Sequence, residues 1–461
     1  MSAAPFPPDS IPPEVASLCR RLGQAGHAAY VVGGAVRDLL RSPTQVTAKD
    51  FDVATSALPE EVVRIFSAKR TIPTGIAHGT VTVLCEASSG DGKPRHVEVT
   101  TFRGETGYSD GRRPDRVEFI TDLVEDLRRR DFTINAIAYD PQDQRLHDPF
   151  DGRGDLARQT IRAVGDPAQR FAEDGLRLLR GVRFAAQLGF VIDPATRAAF
   201  QGALPTLRKV SRERVRDELL KLLAAPKPSL GLAHLLEPAA GGWDVQRGLL
   251  GVVIPELATA LADASGAAER WLQHVDMVPV ATRLAALLWP LRLTEVATWN
   301  ARRYIDRLDE LLKLTTQQRQ HLAALLAFPS PDYQIESPWS QPRLRRFLAE
   351  HPPQLSDDFF TLQLAELQLL GDAGAARHAA LTQLRERCAS ERAKNPPLHA
   401  ADLAVTGKVL MATLGIKPGP AIGLLLRHLL EYVLDEPARN QPEDLLAEAG
   451  RFVAASPTTE P

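Results

Sequence analysis

The chain has 461 residues, 44% hydrophobic and 24% charged, which excludes a disordered or fibrous protein and leaves room for roughly two to four structural units. A net charge of −2 supplies no overall field toward a polyanion, and 6% aromatic residues exclude base-stacking platforms as the main means of holding nucleic acid. Three scattered cysteines, Cys19, Cys85 and Cys388, exclude a disulfide framework and a cysteine metal cluster.

The N-terminus is punctuated by Pro7, Pro8, Pro12 and Pro13, which predicts disorder over residues 1–14. It lacks the apolar core of a secretion signal, and no later run reaches membrane length. With so few cysteines, the chain reads as cytoplasmic with no membrane partner. A helical pattern from Leu18 ends near Gly26, and AAYVVGGAVRDLL then reads as strand, glycine turn and helix start. DFDVAT is a strand, PEEVVRIF a helix with Pro59 in its first turn, and GTVTVLCE and RHVEVTTFR are strands. Residues 15–152 therefore form a small mixed head. From Asp155 onward helical periodicity dominates, and breaks in it suggest a neck over 153–240, a body over 241–345 and a tail over 346–461. The expected class is α+β, a mixed head followed by an elongated all-α region.

Three short patterns carry chemistry. Gly33 and Gly34 end a strand and open a helix, so the backbone can approach a ligand and the helix N–H groups favour a phosphate. Arg37, one turn on, adds a planar donor fork. Alone, such a glycine pair is an ordinary turn. Asp50 and Asp52 stand two apart in a strand and point the same way. Hard oxygen ligands so placed suit magnesium, which takes a couple of carboxylates with phosphate oxygens and water. Glu98 faces away from its core-directed neighbours Val97 and Val99. If its strand lies beside that of Asp52, three carboxylates cluster and can hold two metals.

The series GGAVRDLL, DFDVAT, VEVTTFR, RRRDFTINAIAYD and RFAEDGLRLLRGVRFAAQLGF, in this order over about residues 28–225, resembles the class II tRNA nucleotidyltransferases (CCA-adding enzymes) and the bacterial poly(A) polymerases of the same superfamily. A weaker likeness to the CCA-adding group continues at LAVTGKVLMATLGIKPGPAIG. The resemblance implies a magnesium-dependent enzyme that extends the 3′ end of tRNA from CTP and ATP. It implies metal-binding carboxylates at Asp50 and Asp52, a third acid at Glu98, and triphosphate contacts at Gly33, Gly34 and Arg37. Arg129, Arg130, Asp131 and Asn135 would sense ribose and phosphates, and Glu173, Asp174 and Arg177, with Arg180 one turn on, would contact the nucleotide from a base-selecting helix.

The base-selecting role also follows from the side chains. Asp accepts hydrogen bonds only and Arg donates only. Cytosine and adenine present an amino donor beside a ring-nitrogen acceptor, whereas uracil and guanine present a carbonyl beside an N–H. Asp174 and Arg177, at i and i+3 on one helix face, would accept the first pair and reject the second without a template. Gly175 departs from the alanine or proline common there in the family, and glycine inside a helix costs up to about 1 kcal/mol.

The polar segment from Arg103 to Phe119 matches the flexible loop that helps CCA-adding enzymes switch from C to A, and HGTVTV at His78–Val83 also leans toward that group. Residues 208–216, RKVSRERVR, start a helix with Ser211 as N-cap and offer basic side chains to RNA phosphates. Trp289-Pro290 stands where some relatives carry a hydrolase His-Asp pair, which predicts no second activity. Two alternatives fit much of the same sequence: an enzyme that adds only A, singly or as poly(A), and an inactive RNA-binding protein that keeps the fold.

Overall fold

Alternating buried and exposed residues build a seven-stranded sheet in the N-terminal part of the computed structural model, which describes residues 6–7, 10–42, 50–86, 94–106, 116–239, 242–244, 248–262, 266–293, 301–327 and 339–455. Its strands are β1 (Ala29–Val32), β2 (Asp52–Thr55), β3 (Thr71–Gly75), β4 (Thr80–Cys85), β5 (Arg95–Thr101), β8 (Ala138–Asp140) and β9 (Arg145–His147), in the order β3-β4-β5-β2-β1-β8-β9. Only β2 and β5 run parallel; the other neighbours are antiparallel. A separate hairpin pairs β6 (Arg103–Thr106) with β7 (Arg116–Phe119). It frames the segment expected to be a flexible loop, whose residues 107–115 lie outside those described.

Both faces of the sheet are covered because successive strand residues point opposite ways. Val31, Val53, Val97 and Val99 pack against Val15, Leu18 and Leu22 of α1 (Pro13–Gln24), Val36 and Leu39 of α2 (Gly34–Arg41), and Val62 of α3 (Pro59–Phe66). Their neighbours Val32 and Ala54 turn to the other side and join Phe102, Leu127 and Ala136. Pro59 occupies the first turn of α3, where its missing N–H costs no bond. The N-terminal segment departs from expectation: Phe6, Ser10 and Ile11 are buried, and the Phe6 ring packs tilted against Tyr139 with ring centroids 4.5 Å apart. Pro12 and Pro13 stand at the N-cap and first position of α1, where proline is tolerated, and the apolar residues Phe6 and Ile11 before them reach the core.

Helices follow: α4 (Leu123–Arg128), α5 (Gly152–Ala157), α6 (Pro167–Glu173), α7 (Leu176–Leu188), α8 (Pro194–Ala198), α9 (Phe200–Leu207) and α10 (Arg212–Leu223). Two short ladders interrupt the helical region, Thr160–Ile161 with Val191–Ile192 and Glu237–Ala239 with Gly242–Asp244. Strands of two or three residues are too short to leave a period in sequence. The class is α+β, as expected.

Two compact units result, residues 1–268 with 310–313, and residues 269–309 with 314–461. The boundary expected near 240 does not coincide with this division, since residues 241–268 belong to the first unit. Glycine and proline end elements, and an ended element still packs on its neighbours. In the second unit, buried Arg345 donates to Glu391 Oε1 at 2.6 Å and to the carbonyls of Leu434 and Asp435 at 2.8 and 3.0 Å, closing the end of helix Pro420–Asp435. Among the described residues no helix is long and apolar enough to cross a membrane.

Candidate active site

Sheet, α2 and the helices that follow enclose a cleft of about 840 Å³ in the first unit. Asp50, Asp52 and Glu98 line it, with Gly33, Gly34, Arg37, Arg129, Arg130, Asp131, Asn135, Asp174, Arg177 and Arg180. Glu173 does not. Its carboxylate instead accepts from Arg170 and Arg177 behind the cleft wall.

Strand register places the acids. Asp52 pairs with Glu98 across the parallel β2–β5 ladder, so the two carboxyl groups emerge side by side. Burial pushes the Asp52 carboxyl above its ordinary value of 3.8; Glu98 and Asp50 push the same way, against Arg130. Asp50 precedes β2 instead of lying within it, off the ladder that aligns the other two. Among the described residues no three His, Cys, Asp or Glu side chains are gathered to hold a metal, so the expected three-carboxylate cluster is not closed. Asp52 and Glu98 face the cleft side by side, and Asp50 lines it from the segment before β2.

Gly33 caps α2 with φ +75°, a conformation that L side chains rarely adopt. A Cβ there would stand 3.4 Å from Arg130 Nη1 and 3.7 Å from Asp52 Oδ2. Opposite, Asp131 ties the cations to one another. Its carboxylate accepts from Arg180 at 2.7 Å, from Asn135 at 3.1 Å and from the Phe132 N–H at 2.8 Å. Asn135 in turn accepts from Arg37 at 2.9 Å. Burial would raise the Asp131 pKa, yet Arg180, the hydrogen bonds from Asn135 and Arg180, and the nearby Arg177 bring it to about 2.

Asp126, unremarked in the sequence, plays the matching part for Arg129 and Arg130. It is 1% exposed and accepts from Arg129 at 2.9 and 3.0 Å and from Arg130 at 3.4 Å. The i+3 and i+4 spacing was the available signal. Arg128–Arg130 is therefore not a uniformly solvated basic turn.

The base-selecting segment is broken where a continuous helix was expected. Helix α6 ends at Glu173, Asp174 is extended, and α7 begins at Leu176. Asp174 accepts from the Leu176 N–H at 3.0 Å and from Arg214 of α10 at 2.7 Å. Arg214 thus holds an acid, not only a prospective RNA phosphate. Ser211 sits at the N-cap of α10 as expected but makes no side-chain capping bond. Arg177 donates to the carbonyls of Arg170 and Arg129 at 2.8 and 3.0 Å, as well as to Glu173. Acceptor and donor are each fixed by their own clamp. Thr80, Thr100, Arg103, Arg183, Phe184 and Lys221 also line the cleft, and only the fold brings them there.

Gly175 is explained by contact. A Cβ there would lie 2.4 Å from Leu207 N and 2.6 Å from Leu207 Cα, both backbone atoms of α9. Gly175 therefore does not loosen a helix; it lets two chain segments touch. Gly175→Ala is expected to destabilise the protein by about 1–3 kcal/mol through overpacking, read by urea unfolding. Unchanged stability would show that α9 yields freely.

A sheet-borne acid pair facing a glycine-started helix and an arginine-lined wall defines the class: a nucleotidyltransferase. Residues 29–162 match the poly A polymerase head domain, residues 189–261 the RNA and SrmB-binding site of polymerase A, and residues 365–449 the tRNA nucleotidyltransferase domain 2. The CCA-adding enzyme of Enterococcus faecalis is 36% identical over 94% of this chain and 94% of its own length. That of Lactobacillus johnsonii is 51% identical over 45% of this chain and 49% of its own. The crystal structure of the Bacillus stearothermophilus CCA-adding enzyme in complex with CTP superposes with a TM-score of 0.69 at 30% identity, covering 97% of this chain and 99% of that one. The chain belongs to the CCA-adding enzyme family.

Proposed function

We propose that this protein adds C, C and A to the 3′ end of tRNA without a template, taking the nucleotides from CTP and ATP. The observation that carries this reading is a single cleft holding carboxylates, triphosphate-directed cations and an acceptor–donor pair suited to C and A. The 3′-hydroxyl oxygen of the RNA attacks the α-phosphorus; the new P–O bond forms as the bond to the β-phosphate breaks, and pyrophosphate leaves. The α2 N-terminus at Gly33 and Gly34, with Arg37, Arg129, Arg130 and Arg180, binds the triphosphate and orients the α-phosphorus. Asp131 and Asn135 face the ribose, whose 2′-hydroxyl both donates and accepts. Asp174 and Arg177 read the base, and Glu173 positions Arg177.

The donor set on and beside the central β2–β5 pair fits magnesium: hard oxygen ligands, with burial first and then the neighbouring Glu98 and Asp50 raising the Asp52 pKa. Bound by Asp50 and Asp52, magnesium would offset the negative charge that builds on the reacting phosphate. Three buried free cysteines suit a reducing cytoplasm, where the substrates also reside.

The test uses three tRNA transcripts, ending before CCA, after C and after CC, each given CTP, ATP or both with magnesium. Completion of CCA and then arrest is the expected result. A single A added only to the CC-ended transcript, or a long A tail, would replace this reading with one of its superfamily alternatives. No extension at all would leave an RNA-binding protein without catalysis.

A further inference from the structure

Three of the cleft's arginines share one aromatic neighbour. The guanidinium carbons of Arg183, Arg37 and Arg180 lie 4.1, 5.3 and 5.6 Å from the centroid of the Phe184 ring. All three distances fall within the ~6 Å over which a cation is drawn to a ring face. Phe184 is 5% exposed, lines the cleft, and is braced edge-on by Phe132 at 5.9 Å and 86°.

Each arginine also has its own polar anchor on a different element. Arg37 donates to Asn135 at 2.9 Å, Arg180 to Asp131 at 2.7 Å, and Arg183 to Glu218 of α10 at 2.6 Å. Arg37 donates as well to Asp38 at 2.8 and 3.0 Å and Arg183 to Gln187 at 2.6 Å, so hydrogen bonds hold the guanidinium edges and Phe184 is the aromatic neighbour the three share. An aliphatic side chain of similar bulk would fill the space but would not draw three like charges toward one point.

We propose that Phe184 is a positioning residue for nucleotide addition, an aromatic seat that holds Arg37, Arg180 and Arg183 converged for a nucleoside triphosphate's phosphate tail. This rests on the nucleotidyltransferase reading above and deepens it. The seat acts on the phosphates alone, so it serves CTP and ATP equally and takes no part in base choice. Its effect falls on ground-state grip, which appears in KM with little change in kcat.

The experiment compares wild type with Phe184→Leu, which removes the ring quadrupole, and Phe184→Tyr, which keeps it. Steady-state KM and kcat are measured for CTP and ATP, with inorganic tripolyphosphate as a competitive inhibitor lacking a base, and melting temperature is read alongside. The leucine variant is expected to raise both KM values and the tripolyphosphate Ki together by about tenfold, with kcat within about twofold and selectivity against UTP and GTP unchanged. Tyrosine is expected to restore all three constants to within about twofold of wild type.

Unchanged KM and Ki in a folded leucine variant would overturn the inference, as would a shift confined to one nucleotide. If leucine does not fold there, Phe184→Met removes the ring with a more adaptable side chain and is read by the same constants. Failure of the underlying reading looks different: wild type itself would then extend RNA with neither CTP nor ATP, and the inference would fall with it.

Discussion

Replacing Asp52 by asparagine is expected to cut nucleotide addition by at least about 10³-fold, the loss of ~4 kcal/mol of transition-state stabilisation, while making the protein more resistant to heat. The two effects share one cause. Burial, Glu98 and Asp50 all disfavour the Asp52 carboxylate in the folded protein and raise its pKa above 3.8. In the pH interval between its unfolded and folded values, the folded state binds more protons than the unfolded state. Stability therefore falls as pH rises through that interval and stays lower above it. Asparagine carries no charge and escapes the penalty. Its melting temperature should exceed that of wild type at about pH 7 and converge with it at about pH 3, where Asp52 is protonated in both states. Added magnesium should raise the wild-type melting temperature, because a ligand that binds only the folded state stabilises it, and should leave the variant nearly unmoved. Calorimetry with and without the metal, beside the transcript assay, checks all three. A variant that keeps a substantial part of its activity, or melts below wild type at neutral pH, would show that Asp52 is an ordinary strand residue.

How much of this was visible in the chain depends on the range of each interaction. Gly33-Gly34 was legible because a helix start fixes its geometry within a few residues, and Asp50 and Asp52 were legible as cleft acids although Asp50 lies before β2 and not in a strand with Asp52. Glu98 was legible as a face, with Val97 and Val99 buried beside it, but its place next to Asp52 awaited the β2–β5 pairing. Asp174 and Arg177 were legible as chemistry and misread as structure. The apolar residues of α6 and α7 invited one continuous helix through Asp174, yet the backbone turns extended at Asp174 and α7 starts afresh at Leu176. The clamps could not be read in full. Arg214 lies 40 residues from the acid it holds, and Glu218 lies 35 from Arg183. Sequence offered a basic run, and only tertiary packing says which acid each arginine meets. At the N-terminus the proline rule was applied too far, since proline forbids neither a helix start at Pro13 nor burial of Phe6 and Ile11.

The same clamps make base choice the second large effect. Removing the acceptor with Asp174→Ala should act in opposite directions on the two nucleotide classes. CTP and ATP lose a partner for their amino group, which at about 1–3 kcal/mol for an unsatisfied polar group lowers kcat/KM by roughly 10- to 100-fold. UTP and GTP are freed from a carbonyl facing a carboxylate, so their kcat/KM should hold or rise, and discrimination should collapse by more than the loss for C and A alone. Arg214→Gln tests whether orientation matters as well as identity. It keeps Asp174 and the Leu176 N–H at 3.0 Å but removes the guanidinium at 2.7 Å. The carboxylate can then turn about one remaining bond, and an intermediate loss of selectivity should follow, with addition of C and A largely kept. Measuring kcat/KM for all four triphosphates on the same transcripts separates these outcomes. If Asp174→Ala slows every nucleotide alike, Asp174 supports the fold of the cleft and the base is read elsewhere. If Arg214→Gln weakens RNA binding and leaves the four ratios intact, Arg214 serves the acceptor strand, and Asp174 is held well enough by its own backbone.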